Sequence, residues 1–174
     1  MNHQFKQNKI DEYYTKEYAI KPILKYLKPN SKIWCPFDTE ESNYVKMLTK
    51  NGHNVYFTHI DLGVDFLNVD PCGAVPSACD YIISNPPYSI REKILEHLFL
   101  IGKPFAMLIN EAGLFDSKKR YELLKNNTFE IMIFDKRVDY IKEGVELKGV
   151  PFKSIYLCSN ILKDKIVFET LENV

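Results

Sequence analysis

Two consecutive prolines directly behind an apolar run constrain this chain more than any other stretch. Tyr81, Ile82 and Ile83 are β-prone and bounded by Asp80 and Ser84, so they read as a short buried strand. Pro86 ends that strand because it has no N–H to give to a sheet ladder. It also drives Asn85 out of the helical region into extended backbone, and Pro87 does the same to Pro86. Three successive residues are therefore fixed before any ligand arrives. The chain must hold a stiff loop at the carboxyl end of a strand, with one amide side chain and several carbonyls aimed outward. Open α/β sheets bind ligands at that edge.

The chemistry open to Asn85-Pro86-Pro87-Tyr88 is narrow. The Asn85 side-chain carbonyl and the Pro86 backbone carbonyl are two uncharged acceptors held close together. They suit a planar amino group that must act as a nucleophile without first losing a proton. Accepting both of its hydrogens draws the lone pair out of conjugation and aims it at an electrophile. Tyr88 adds an aromatic face on which a planar base or amide can stack. Acceptors set in advance need little reorganisation as the transition state forms. The bland alternative is a plain Pro-Pro turn with Asn as a turn former.

The rest of the sequence predicts an alternating α/β layout without repeats. Lys32–Phe37 reads as the first strand and Glu41–Lys50 as a helix stopped by Asn51-Gly52. Val55–Ile60 is the second strand. Too few residues then remain before the catalytic strand for a full unit, so a short strand near Asp65–Leu67 and a loop through Pro71 and Pro76 are expected. Ser89 with Glu92 forms a capping-box pattern for a helix to Ile101, closed by Gly102. Phe105–Ile109 is a further strand and Ser117–Lys125 a further helix. Phe129–Phe134, Phe152–Cys158 and Ile166–Phe168 read as strands, with no helix between the last two, which suggests a hairpin at one sheet edge. Lys136–Val150 is charge-rich and reads as a loop that covers a substrate. Tyr18–Leu27 reads as a helix with Pro22 inside it.

Ser84-Asn85-Pro86-Pro87-Tyr88 resembles the catalytic motif of S-adenosylmethionine-dependent amino-methyltransferases, most closely the adenine-N6 DNA methyltransferases in their small phage-type form. Glu12-Tyr13-Tyr14-Thr15 resembles the aromatic-aromatic-Thr segment that precedes the first strand in one class of these enzymes. Trp34-Cys35-Pro36-Phe37-Asp38 resembles their first cofactor motif, and Val64-Asp65-Phe66 the acidic-aromatic pair beside the cofactor's adenine. The order along the chain agrees. The resemblance implies a Rossmann-like class I methyltransferase fold, mostly parallel with an antiparallel C-terminal hairpin, and S-adenosylmethionine as cofactor. It implies Asn85, Pro86, Pro87 and Tyr88 as catalytic residues. Tyr14, Thr15, Pro36, Phe37, Asp38, Asp61, Asp65 and Phe66 are the cofactor contacts, and Tyr88, Tyr140 and Phe152 the contacts to the target base. Asp61 is the candidate for the ribose hydroxyls, with a solvated loop Asp as its alternative; for Phe152 the alternative is core packing.

The first motif departs from the family pattern. Its usual Gly-x-Gly lets backbone approach the cofactor's amino-acid tail, whereas this chain reads Pro36-Phe37-Asp38-Thr39-Glu40-Glu41-Ser42 with no glycine. Either carboxylates meet the cofactor's positive charge instead, or cofactor binding is weakened. Phosphate-cradling loops are excluded by the same absence. Asp38 with Glu41 also fits a capping box for the next helix, a role compatible with cofactor contact.

Composition bounds the remaining choices. With 174 residues and 45% hydrophobic content the chain supplies one ordinary core. The expectation is a single domain over 1–174, residues 1–29 covering the cofactor and 30–174 forming the catalytic core. No apolar run approaches the roughly 20 residues of a membrane span, and the amino terminus lacks an apolar signal region. Cys35, Cys72, Cys79 and Cys158 have no metal-ligand spacing, and the histidines are scattered, so no metal and a cytoplasmic setting with reduced thiols are expected.

Basic and acidic residues number 23 each, unlike most duplex-binding proteins. Residues 30–115 nevertheless hold six basic against ten acidic groups, an acidic centre suited to a cofactor bearing a sulfonium and an ammonium. No segment is large and basic enough for groove recognition. The expected partner is nucleic acid containing adenine, with a specificity subunit or a second copy, or with unpaired adenine as substrate. Other readings are a methyltransferase for guanine N2 or protein glutamine, and a non-catalytic subunit that has lost the cofactor.

Overall fold

The computed structural model describes residues 14–142, 144–147 and 150–172. Glu12 and Tyr13 of the amino-terminal motif, and Gly149, lie outside them. The elements in order are β1 (Tyr14–Thr15), α1 (Glu17–Leu24), β2 (Lys32–Cys35), α2 (Asn43–Lys50), β3 (Asn54–Phe57), α3 (Ala74–Ala78) and β4 (Tyr81–Ser84). Then come α4 (Arg91–Ile101), β5 (Phe105–Asn110), α5 (Lys118–Lys125), β6 (Glu130–Phe134), β7 (Tyr140–Lys142), β8 (Val145–Leu147), β9 (Ser154–Ser159) and β10 (Ile166–Glu169).

Seven strands form one sheet in the order β10-β6-β9-β5-β4-β2-β3. All neighbours are parallel except β9, which runs antiparallel to both β5 and β6. This is the mostly parallel α/β architecture expected. Residues of β2, β4, β5 and β9 are buried on both faces, so these strands read as continuous apolar runs. The period-2 alternation sends Ile33, Cys35, Ile83, Ala106 and Leu108 to the face covered by α1 and α2. It sends Trp34, Ile82, Phe105, Met107 and Ile109 to the face covered by α4 and α5.

Several local expectations change in the folded chain. Asp65–Leu67 is not a strand: Asp65 caps a 3-10 turn over Phe66–Asn68, accepting from Leu67 N at 3.0 Å. With no third strand, β3 is a sheet edge. Pro76 lies in the short α3 rather than in a loop. Ser89 does not cap α4, whose N-cap is Ile90 with no side-chain bond. Glu92 instead accepts from Ser117 Oγ and Arg120 Nη1 and ties α4 to α5. Gly102, at φ 70°, closes α4 as expected. Asp38 and Glu41 do not cap α2; Ser42 does, accepting from Tyr44 N at 3.2 Å.

The end of the chain also differs. β10 does not form a hairpin with β9 but crosses to the far side of β6 and pairs with it in parallel. β9 is antiparallel to β6 as well as to β5, and the connection from β6 to β9 spans residues 135–153. That connection is no featureless loop either. β7 and β8 form a hairpin, and β7 pairs with β1 in a small three-stranded sheet, with Thr15 opposite Tyr140.

Candidate active site

The strand order reverses between β2 and β4, the crevice where a doubly wound sheet opens at its carboxyl edge. Two loops leave there on opposite sides, residues 36–42 after β2 and residues 85–90 after β4. Between them lie two adjoining cavities. The larger, about 1080 Å³ and open to solvent, is lined by Tyr14, Thr15, Asp38, Glu41, Asp61 and Asn85 among others. The smaller, about 550 Å³, is an apolar slot walled by Pro36, Ile60, Asp65, Phe66, Leu67 and Ile90. Phe37, His59 and Pro87 line both. All eight residues expected to hold the cofactor thus border one cavity or the other, together with Asn85 and Pro87.

The polarity of the two spaces differs. The larger carries three carboxylates, Asp38, Glu41 and Asp61, while Lys93 is the lysine of the slot. Thr15 Oγ1 is buried and has no hydrogen-bond partner among the described residues, in the wall of the larger cavity. A buried hydroxyl in that state costs free energy until a ligand meets it. In the slot wall Phe66 is 3% exposed, packed on Trp34 at 5.4 Å, Phe37 at 5.0 Å and His97 at 5.0 Å between ring centroids. An acidic chamber beside an aromatic-walled slot fits a molecule that is cationic at one end and a flat heterocycle at the other.

Asp38 is the most constrained member of the site. It is buried, and its two oxygens accept from the Ser42 and Ser84 hydroxyls. Burial pushes its carboxyl up to about 6, against the opposing pull of those two serines and His59. The glycine-free loop therefore folds around a carboxylate held by serines on both sides. Asp61 by contrast is exposed in a 3-10 turn, with His59 Nδ1 accepting from its backbone N–H at 3.2 Å.

On the other loop Pro86 and Pro87 are buried, and Asn85 and Tyr88 half-buried. Tyr88 meets Phe152 edge to face, centroids 5.6 Å apart at 87°. Its hydroxyl donates to the Tyr140 hydroxyl at 3.0 Å. Tyr140, the other candidate contact to the target base, is fully buried, and its hydroxyl meets that of Tyr88. Phe152 is half-buried against both tyrosines and sits at the edge of the site. Pro86, Tyr88, Tyr140 and Phe152 lie outside the lining of both cavities.

Sequence reasoning missed His59, which lines both cavities, and Asn43, whose side-chain amide donates to Thr15 O at 2.8 Å and ties β1 to α2. His59 had a usable signal, since it follows a strand by two residues on the ligand edge. Asn43 had none, because its role depends on a segment 28 residues away.

No family model matches the sequence, and none of the curated proteins does. Among solved structures the chain is similar to a modification subunit of a putative type I restriction enzyme from Vibrio vulnificus YJ016. That pair has 12% identity and a TM-score of 0.56, covering 97% of this chain and 49% of that one. It is also similar to the type I restriction-modification system methyltransferase subunit from Streptococcus thermophilus, with 12% identity and a TM-score of 0.53, covering 88% and 44%. A TehB-like SAM-dependent methyltransferase from Corynebacterium glutamicum aligns at 13% identity and a TM-score of 0.47, covering 82% and 86%. The chain spans about half the length of the two restriction-modification subunits. At this identity the likeness establishes the fold, which is shared with those two subunits.

Proposed function

We propose that the protein transfers a methyl group from S-adenosylmethionine to the exocyclic N6 of adenine in a nucleic acid, DNA before RNA. One observation supports the reading: Asn85-Pro86-Pro87-Tyr88 leaves β4 at the sheet's switch point and, through Asn85 and Pro87, borders the cavity lined by expected cofactor residues. When bound there, the cofactor supplies a methyl group on a positively charged sulfur. The slot that Phe37 and Phe66 help to wall would hold its adenine, Asp61 its ribose hydroxyls, and Thr15 and Asp38 its methionine end. Asn85 Oδ1 and the Pro86 carbonyl accept the two hydrogens of the target amine. Tyr88 presents its ring to the target base, with Phe152 beside it.

The restriction-modification neighbours support DNA as the polymer. The description of both of those neighbours as subunits supports a partner, either a specificity subunit or a second copy. Net charge of zero supports unpaired adenine as the better substrate, because extrusion from a duplex costs a few kcal/mol that little binding surface offsets. The test pairs calorimetric titration of S-adenosylhomocysteine with tritiated methyl incorporation into matched single-stranded and duplex oligonucleotides. Binding plus incorporation at adenine is expected. Incorporation only into guanine or protein glutamine would move the assignment to those amines. Absence of cofactor binding would leave a non-catalytic subunit, the reading favoured by the glycine-free loop.

A further inference from the structure

A loop made stiff by two prolines is only as well aimed as its ends. Pro86 and Pro87 have no N–H groups, so the loop forgoes two backbone hydrogen bonds that would otherwise anchor it. Side chains take that role at both ends. At the entry, Ser84, fully buried and adjacent to Asn85, donates its hydroxyl to Asp38 in the loop after β2. At the exit, Tyr88 donates to Tyr140, whose hydroxyl is also hydrogen-bonded to Ser154 Oγ at 2.6 Å. Tyr140 and Ser154 are both fully buried, so the far end of this chain of hydroxyls is fixed in the core. Phe152 meets the Tyr88 ring edge to face.

We infer that Asp38 and Tyr140 are positioning residues that pin the two ends of the Asn85-Pro86-Pro87-Tyr88 loop, Asp38 through the Ser84 hydroxyl and Tyr140 through the Tyr88 hydroxyl. The inference rests on the catalytic reading of that loop. Each pin belongs to a different ligand surface. Asp38 lines the cofactor cavity, so a cation arriving there meets the same carboxylate that holds Ser84. Tyr140 lies in the hairpin strand paired with Thr15, so the amino-terminal wall of the cavity and the base-stacking residue share one support. The hydroxyl of Tyr88 thereby gains a function that stacking alone does not require. On stacking alone Tyr88→Phe is close to neutral; with the pin it is not.

The experiment uses the full chain and the variants Tyr88→Phe, Tyr140→Phe, the double variant and Ser84→Ala. Amide hydrogen exchange is read at Asn85, Tyr88 and Ser89, and kcat, KM and S-adenosylhomocysteine affinity are measured alongside. Each single variant should speed exchange by about fivefold to tenfold, the worth of one hydrogen bond. The Tyr88→Phe and Tyr140→Phe effects should not multiply in the double variant, because they remove the same bond. For both, kcat should fall while KM and cofactor-product affinity stay near wild type. Unchanged exchange in Tyr140→Phe, or multiplying effects in the double variant, would overturn the inference. If Tyr140→Phe fails to fold, Tyr88→Phe breaks the same bond from its half-exposed side. Exchange needs neither cofactor nor substrate, so a wild-type protein that transfers no methyl refutes the proposed function and leaves this measurement decisive.

Discussion

The two sides of the crevice are built differently. On the cofactor side, residues 36–67 supply most of the lining from short segments that directly follow β2 and β3, so neighbours in sequence are neighbours at the site. On the substrate side, Tyr88 is held by Tyr140, 52 residues on, and faced by Phe152. A locally built wall can be changed one residue at a time with a local result. A wall assembled from distant segments passes each change to the loop it supports.

The largest expected effect separates turnover from binding. Asn85→Ala should lower kcat by about a hundredfold or more, as for loss of one preorganised polar contact to the reacting group, with S-adenosylhomocysteine affinity near wild type by calorimetry. Full turnover in this variant would make the loop structural. Next is Phe66→Ala, which opens the slot and the core at once. A loss of about 3–5 kcal/mol in denaturant unfolding is expected for truncation of a buried Phe, and cofactor affinity should fall with it.

Asp38 tests whether the two sides are joined. In Asp38→Asn the amide can still accept from one serine and donate to the other, so the loop stays pinned while the charge is lost. Cofactor affinity should fall about tenfold or more, the worth of a charged hydrogen bond. Asp38→Ala should in addition lower kcat. Equal behaviour of the two variants would mean that charge alone matters there.

The pH dependence follows with a definite sign. Asp38 ionises near its ordinary 3.8 in the unfolded chain and at about 6 when folded, so the folded state holds its proton longer. Its contribution to stability therefore declines as pH rises from about 4 to about 6 and is level above. The loss is about 3 kcal/mol at neutral pH, and Asp38→Asn should recover part of it in melting at pH 7. Affinity for a cationic ligand should move the other way, weakening as pH falls through about 6. The smallest effect belongs to Glu41→Gln: the carboxylate is solvent-exposed and paired with Lys46, so neither melting nor affinity should change measurably.

What the sequence could disclose follows the same division. β2, β4, β5 and β9 are short apolar runs buried on both faces, and their positions are legible within a few residues. Apart from Tyr14 and Thr15, the expected cofactor residues come together because each closely follows β2 or β3 in the chain. The place of Tyr140 is not legible, since an aromatic residue in a charge-rich segment gives no hint that pairing with β1 will bury it. The β10 pairing is illegible for a related reason. Two apolar runs separated by a short polar stretch suit a hairpin, and only the free edge of β6 explains the parallel crossover. Capping patterns fail where a competing partner is stronger, as when Glu92 turns from Ser89 to Ser117 and Arg120.

The pairing of β1 with β7 has a consequence for the order of events at the ribosome. Thr15 is made 125 residues before Tyr140 of the strand that seats it, and β7 is itself completed by β8 at Leu147. Loop-closure entropy must be met before such a distant contact forms. The wall that Thr15 forms therefore closes only after β7 and β8 are in place. A chain truncated before residue 140 should retain no S-adenosylhomocysteine, whereas residues 1–174 should retain it.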